Sequence, residues 1–179
     1  WMKKTLFDNG TRIPLIVSGP GINKNEKIMD APIEMIDIYP TLMDLTGKKT
    51  PLFVSGRSFA PLLKDSSKRI RSSALTEVII GPAHSPVQGY SIKTDRYRLT
   101  QWGEKGIQGY ELYDHMYDKK ELNNLSNIKE YKILKDSLKL VINQRIDDAR
   151  KKPYGITKQY IPRQAGAPKP IHSKPKSKF

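Results

Sequence analysis

The sequence predicts an α/β chain in two unequal pieces. A short strand and a helix whose apolar stripe would pack on a sheet come first. A small subdomain of about four antiparallel strands packed on one long helix follows. Three observations lead there. Between residues 73 and 114, short β-branched and aromatic runs follow one another with no long helix between them, which favours antiparallel strands over βαβ units. From Tyr131 to Ile146 the apolar residues recur every three to four positions, as on one face of a helix. Ahead of both, Pro14-Leu15-Ile16-Val17-Ser18 is an apolar run closed by Gly19-Pro20-Gly21, the pattern of a buried strand ending in a sharp turn.

Each element has its own grounds. Ile33, Ile36, Leu42, Met43 and Leu45 fall at helical spacing, interrupted by Pro40. Proline suits a helix's first turn, so two short helical pieces are expected to meet near Tyr39-Pro40, with Gly47 as the stop. Phe59-Ala60-Pro61-Leu62-Leu63 is a further short helix in a stretch that otherwise reads as loop. Ser73 to Ile80 reads as a strand, and Gly81 to Gly89 as a Gly/Pro-rich loop. Tyr90–Thr94 and Tyr97–Trp102 alternate around Asp95-Arg96, which predicts a tight hairpin. Glu111–Asp114 adds a short strand. Asn127-Ile128-Lys129-Glu130 has the form of a capping box ahead of a helix over about 129–151.

Composition bounds the chemistry. The chain has 179 residues and a net charge of +14. Residues 151–179 hold eight Lys and Arg and no Asp or Glu, leaving +6 for residues 1–150. The folded part is therefore mildly basic and carries a basic tail with five prolines from Pro153 onward, expected to be extended or disordered. There is no Cys, which excludes disulfides, thiolate zinc sites and a cysteine nucleophile within these residues. No stretch approaches the roughly 18–20 apolar residues of a membrane span, and Trp1-Met2-Lys3-Lys4 shows no secretory signal pattern. A chain starting at Trp1 reads as a fragment.

Several segments, in order, resemble the C-terminal part of a formylglycine-dependent sulfatase. They are Trp1-Met2-Lys3-Lys4-Thr5-Leu6-Phe7, Thr11 to Val17, Gly19-Pro20-Gly21 and Ile36 to Gly47. Gly56-Arg57-Ser58, Gly89 to Arg98, Glu111-Leu112-Tyr113-Asp114 and Asn124-Leu125 follow. Their shared order and spacing carry the resemblance, which covers residues 1 to about 150. Gly89-Tyr90-Ser91-Ile92-Lys93-Thr94 is most similar to the iduronate-2-sulfatase-like branch.

The resemblance implies an alkaline-phosphatase-like sulfatase α/β domain ending near residue 50, a small C-terminal subdomain over 51–152 and the tail over 153–179. It implies hydrolysis of a sulfate ester, of a sulfated sugar or polysaccharide. The nucleophile would be a hydrated formylglycine made from Cys or Ser in a Cys/Ser-x-Pro-x-Arg motif, with calcium on Asp/Asn-type oxygens. No such motif is present, and in the family the nucleophile and the metal ligands lie upstream of the Trp-x-Lys segment, so the resemblance implies no catalytic residue or metal ligand in these residues, and the chain alone is expected to be inactive. One position carries over: in Trp-x-Lys-x-x-x-Phe, Lys3 matches the lysine that contacts the substrate sulfate. An ammonium there donates hydrogen bonds to the sulfate oxygens and offsets their charge. The rest of the sulfatase domain is the implied protein partner, and a periplasmic or extracellular location is implied as well.

Other residues carry weaker alternatives. Asp114, His115 and Asp118 sit close enough in sequence to be drawn as a metal site. His84 lies in a loop that could reach substrate or simply face water. Arg96, Tyr97, Arg98 and Trp102 fit a nucleic-acid platform, a grip on sulfated sugar or an ordinary sheet. Asn9-Gly10-Thr11 and Asn124-Leu125-Ser126 are formal glycosylation triplets. The Ser and His residues show no nucleophile-elbow spacing, and Gly19-Pro20-Gly21 lacks the Gly-Lys-Ser/Thr ending of a phosphate loop. The tail suits counterion-release binding to a polyanion, which leaves a non-catalytic basic binding module as the competing function.

Overall fold

The computed structural model describes residues 4–20, 22, 28–151 and 153–155. One antiparallel sheet organises them. Its strands are β1 (Ala74–Ile80), β2 (Val87–Lys93), β3 (Tyr97–Trp102) and β4 (Tyr110–Asp114), in the order β1-β2-β3-β4. The register pairs Ile92 with both Leu75 and Leu99, and Leu99 with Leu112. These four residues therefore form a row across one face, because the side-chain period along a strand is two. The β2–β3 turn forms where the alternation predicts it. The Thr94 N–H donates to the Tyr97 carbonyl at 2.8 Å, and the Thr94 hydroxyl accepts from the Tyr97 N–H at 2.8 Å. Strand β2 starts three residues earlier than the alternation suggests.

Helix α4 (Lys132–Arg150) lies across that apolar face. Leu138, Ile142 and Ile146 recur at intervals of four and pack with Tyr90, Ile92, Leu99 and Leu112. The helix is entered through a 3-10 turn, Lys129–Tyr131, whose N-cap Ile128 makes no side-chain cap bond. The capping box expected at Asn127–Glu130 is thus absent. The start is held by packing, with Lys135 donating to the Ser126 carbonyl. A reciprocal box occurs elsewhere, between Glu34 and Asp37, around the 3-10 turn Met35–Asp37.

Ahead of the sheet come α1 (Asp8–Thr11, a single turn), α2 (Ile38–Leu45) and α3 (Ala60–Lys64). Pro40 falls in the first turn of α2, where its missing N–H costs nothing. Gly47 ends that helix at φ +66°, with Gly47 N–H donating to Asp44 and Lys48 N–H to Met43. This is a Schellman stop, and the left-handed backbone is why glycine stands there. An ion network ties α2 to the sheet and to α4. Asp37, fully buried, accepts from the Arg57 N–H and from Arg71, while Glu34 accepts from Arg71, Arg145 and the Leu75 N–H on the free edge of β1.

The expected strand at Pro14–Ser18 is not a strand in the structure. No described strand pairs with it, and Leu15 and Ile16 face solvent, Ile16 90% exposed, while Val17 is half-buried. A strand needs a neighbour for its N–H and C=O groups, and among the described residues this run has none. The outer face of α2 is also apolar and uncovered at Tyr39, Leu42 and Leu45. No helix among the described residues is long and apolar enough to cross a membrane.

Candidate functional site

The second face of the sheet holds the most elaborate polar structure in the molecule. Strand parity puts Ser91, Lys93, Arg98, Thr100, Trp102, Glu111 and Tyr113 on this face, opposite the α4 core. Residues 4–11 lie across it. Leu6, almost fully buried, sits over Gly89, where an added Cβ would come within 2.8 Å of Leu6 and 2.5 Å of Trp102. Only glycine lets the segment approach this closely. Phe7 then stacks obliquely on Tyr113 at a centroid distance of 5.9 Å.

Asp8 follows, over the centre of the face. Arg98, 1% exposed, donates to Asp8 Oδ1 at 2.9 Å, Thr11 Oγ1 at 3.0 Å, Ser91 Oγ at 3.2 Å and Glu121 Oε1. Glu121 accepts the Asp8 backbone N–H on its other oxygen at 2.7 Å, and His115 Nε2 lies 2.7 Å from Oε1. Every arm of this buried guanidinium meets an acceptor, the condition under which a buried charge is tolerated. Glu121 itself stands at φ +56°, a region that a β-carbon disfavours. Burial dominates the electrostatics nearby: it lowers the Lys93 pKa and raises those of Glu111 and Tyr113.

Asp8, His115 and Glu121 form a group whose potential ligand atoms lie within 4.8 Å of one another. They do not fit calcium. That ion takes six to eight oxygens, whereas here a guanidinium already bridges the two carboxylates and an imidazole nitrogen supplies the third position. The set proposed from sequence spacing, Asp114-His115-Asp118, does not converge. Asp114 takes a two-pronged bond from Arg96, at 2.8 and 2.6 Å, which holds its carboxyl below the usual range. Asp118 accepts the N–H groups of Leu122 and Asn123.

The remaining sequence candidates separate in the same way. Lys3 lies outside the described residues, and so does the tail from residue 156. Its neighbour Lys4 is exposed and shares a shallow recess with Glu77, Val78 and Ile79. His84 is exposed in the β1–β2 loop. Arg96 lies over the Tyr97 and Tyr117 rings while gripping Asp114, and Trp102 covers Gly89, so this hairpin is an ordinary sheet element and not a stacking platform. Asn124 is structural: it accepts the N–H of Leu112 on the outer edge of β4 and donates to the Tyr110 carbonyl. Sequence reasoning missed the joint role of Asp8, Arg98 and Glu121. Its one signal was an arginine on an alternating strand, which also describes a solvated side chain.

A four-stranded antiparallel sheet is thus backed by one long helix, with residues 4–11 of the same chain clamped over its other face. Residues 1–149 match the family described as N-sulphoglucosamine sulphohydrolase, C-terminal, and the chain belongs to that sulfatase family. It is 31% identical over 153 residues to a Δ4,5-hexuronate-2-O-sulfatase of Bacteroides thetaiotaomicron, covering 82% of this chain and 31% of that one. A sulfatase of Formosa agariphila is 30% identical over 140 residues, with 78% and 25% covered. Among solved structures it resembles a 2-O GAG sulfatase, with TM-score 0.62, 29% identity, and 74% and 29% covered. It also resembles a structure in complex with its substrate D-glucosamine-2-N,6-O-disulfate, with TM-score 0.55, 28% identity, and 63% and 23% covered. The chain thus spans about a quarter to a third of the relatives it matches.

Proposed function

We propose that this chain is the C-terminal part of a sulfatase that hydrolyses a sulfate ester of a sulfated sugar or polysaccharide. The match over residues 1–149 to a sulfatase C-terminal family carries this reading. Relatives named for hexuronate 2-O-sulfate and N-acetylglucosamine 6-O-sulfate hydrolysis support the substrate class. In this reading residues 1–50 end the catalytic domain, 51–152 form the small subdomain and 153–179 are a tail that can contact polyanions. The 2-O-sulfatase relative and the Gly89–Thr94 stretch favour the iduronate-2-sulfatase-like branch.

Lys3 binds the sulfate group, donating hydrogen bonds to oxygens that gain charge as the ester breaks. Formylglycine and calcium would supply the nucleophile and the Lewis acid, and the Asp8–His115–Glu121 group does not suit that ion. The exposed apolar surface at Ile13, Leu15, Ile16, Leu42 and Leu45 suits cover by the rest of the sulfatase domain. Export to the periplasm or cell exterior belongs to the same proposal.

The test is turnover of an aryl sulfate, beside the matching aryl phosphate, by the full-length protein and its Lys3→Ala variant. Loss of the transition-state contact is expected to lower kcat/KM by about 100-fold or more, with the Tm nearly unchanged. Wild-type turnover by Lys3→Ala removes Lys3 from the site. Preference for the phosphate overturns the sulfatase reading. If neither ester is turned over and salt-sensitive polyanion binding is lost when 153–179 is deleted, the protein is a basic binding module instead.

A further inference from the structure

We infer that Arg98 and Glu121 are positioning residues for catalysis: their buried clamp on Asp8 and Thr11 fixes the segment that carries Lys3. This rests on the reading of Lys3 as the sulfate ligand. Three independent features of the fold converge on the clamp.

The first is connectivity. Lys3 adjoins Lys4, the first described residue, and Asp8 follows five positions later, so what holds Asp8 limits where the segment can go. The second is the manner of holding. Residues 4–11 are not merely covered. Glu121 takes the Asp8 backbone N–H, Arg98 takes the Asp8 carboxylate and the Thr11 hydroxyl, and Leu6 sits over a glycine that leaves it just enough room. A main-chain bond combined with a side-chain bond fixes both the position and the rotation of the residue. An apolar contact alone does neither, because it is non-directional.

The third is the cost accepted for it. Glu121 adopts φ +56° without being glycine, and its carboxylate is almost fully removed from water. Backbone conformations of this kind are unfavourable and persist where the surroundings over-determine them. A Gly at 121 would relieve the backbone and lose the clamp, so the strain is explained by the side chain's double engagement. The surrounding loop is held at both ends, by Arg96 on Asp114 and by Asn124 on Leu112. The small subdomain thereby limits where the segment that carries Lys3 can sit. Misplacement by about 1 Å is enough to cost on the order of 100-fold in rate.

The experiment is a double-mutant cycle in the full-length protein with Lys3→Ala, Arg98→Lys and the double variant, and Asp8→Asn beside them. It reads kcat and KM on an aryl sulfate, inhibition by inorganic sulfate, Tm, and hydrogen exchange at the Asp8 amide. Arg98→Lys keeps the charge and loses the fork that spans Asp8, Thr11 and Glu121.

Arg98→Lys and Asp8→Asn are expected to lower kcat about tenfold or more, to weaken inhibition by sulfate, and to speed exchange at Asp8. Added to Lys3→Ala, Arg98→Lys is expected to cost almost nothing further, because both remove the same interaction. Wild-type kcat and sulfate inhibition in Arg98→Lys and Asp8→Asn overturn the inference and leave the Lys3 reading intact. So do losses that simply multiply with that of Lys3→Ala. Wild-type turnover in Lys3→Ala is a separate result: it removes the underlying reading, and the inference with it. Should Arg98→Lys fail to fold, the near-isosteric Asp8→Asn, tested against Lys3→Ala, decides.

Discussion

The two faces of one sheet are stabilised by different physics. Toward α4, Ile92, Leu99, Leu112 and Ile142 are completely buried, and nothing but shape and area holds them together. Toward residues 4–11, the same strands bury Ser91, Arg98 and Thr100 just as deeply, and hydrogen bonds from Arg98 and to Glu121 hold the covering segment. An apolar face accepts any cover of suitable size. A polar face accepts only a cover that returns its bonds, because each buried group left unpaired costs about 1–3 kcal/mol. The helix side supplies cohesion, and the segment side supplies registration.

The sharpest way to break that comparison is to delete the centre of each face in turn. Arg98→Met removes the buried counter-charge of Glu121 and leaves Asp8 only a longer contact to the exposed Arg12, at 3.9 Å. It is expected to cost about 3–5 kcal/mol, the range for breaking a buried pair from one side. Ile142→Ala removes three carbons from a fully packed site and is expected to cost about 2–5 kcal/mol. Thermal melts of the two proteins check both values. The two losses differ in kind: Arg98→Met is expected to release residues 4–11 to proteolysis, and Ile142→Ala to leave them docked.

Gly89→Ala sharpens the same contrast at smaller scale. The new methyl group meets Trp102 and Leu6 on the segment side, and strand parity points it away from the α4 core. Overpacking of this kind costs about 1–3 kcal/mol. The Trp102 fluorescence is expected to change with it, and an unchanged spectrum with an unchanged Tm would mean that Leu6 does not press on the sheet.

Much of the helix face was readable from the sequence, and little of the segment face was. Alternation in Tyr97–Trp102 and the four-residue recurrence Leu138, Ile142, Ile146 are local signals with a fixed period, and the elements appear where those periods put them. Parity alone says only that Arg98 and Leu99 point opposite ways. That Arg98 is buried follows from a segment about ninety positions earlier in the chain, and Glu121 meets the Asp8 amide across 113 positions. No periodicity reports contacts of that separation. The run Pro14–Ser18 erred for the converse reason. Its pattern records the demand for a neighbouring strand, and none of the described strands meets it. The expected Asn127–Glu130 cap failed because helix α4 enters through a 3-10 turn anchored by packing, which shifts the N-cap to Ile128.

The smallest effect separates the ion pairs that register the segment from those that only brace the sheet. Asp114 belongs to the second kind: it lies at the end of β4, and its carboxylate is gripped by Arg96 and the Met116 N–H. The Arg96 bonds hold its carboxyl below the ordinary value, with burial working in the opposite direction. A group whose folded pKa is depressed contributes stability that is fully present above its unfolded value, near about 3.9, and is lost as the pH falls through the folded one. Asp114→Asn removes that contribution. Its Tm is therefore expected to lie below wild type at neutral pH, with the gap closing as the pH drops below about 4. Acid titration of the melts in both proteins measures this directly. A gap that stayed constant down to pH 2 would show that Asp114 braces the loop through shape and not through its charge, and Arg96 would then be held by the Tyr97 and Tyr117 rings alone.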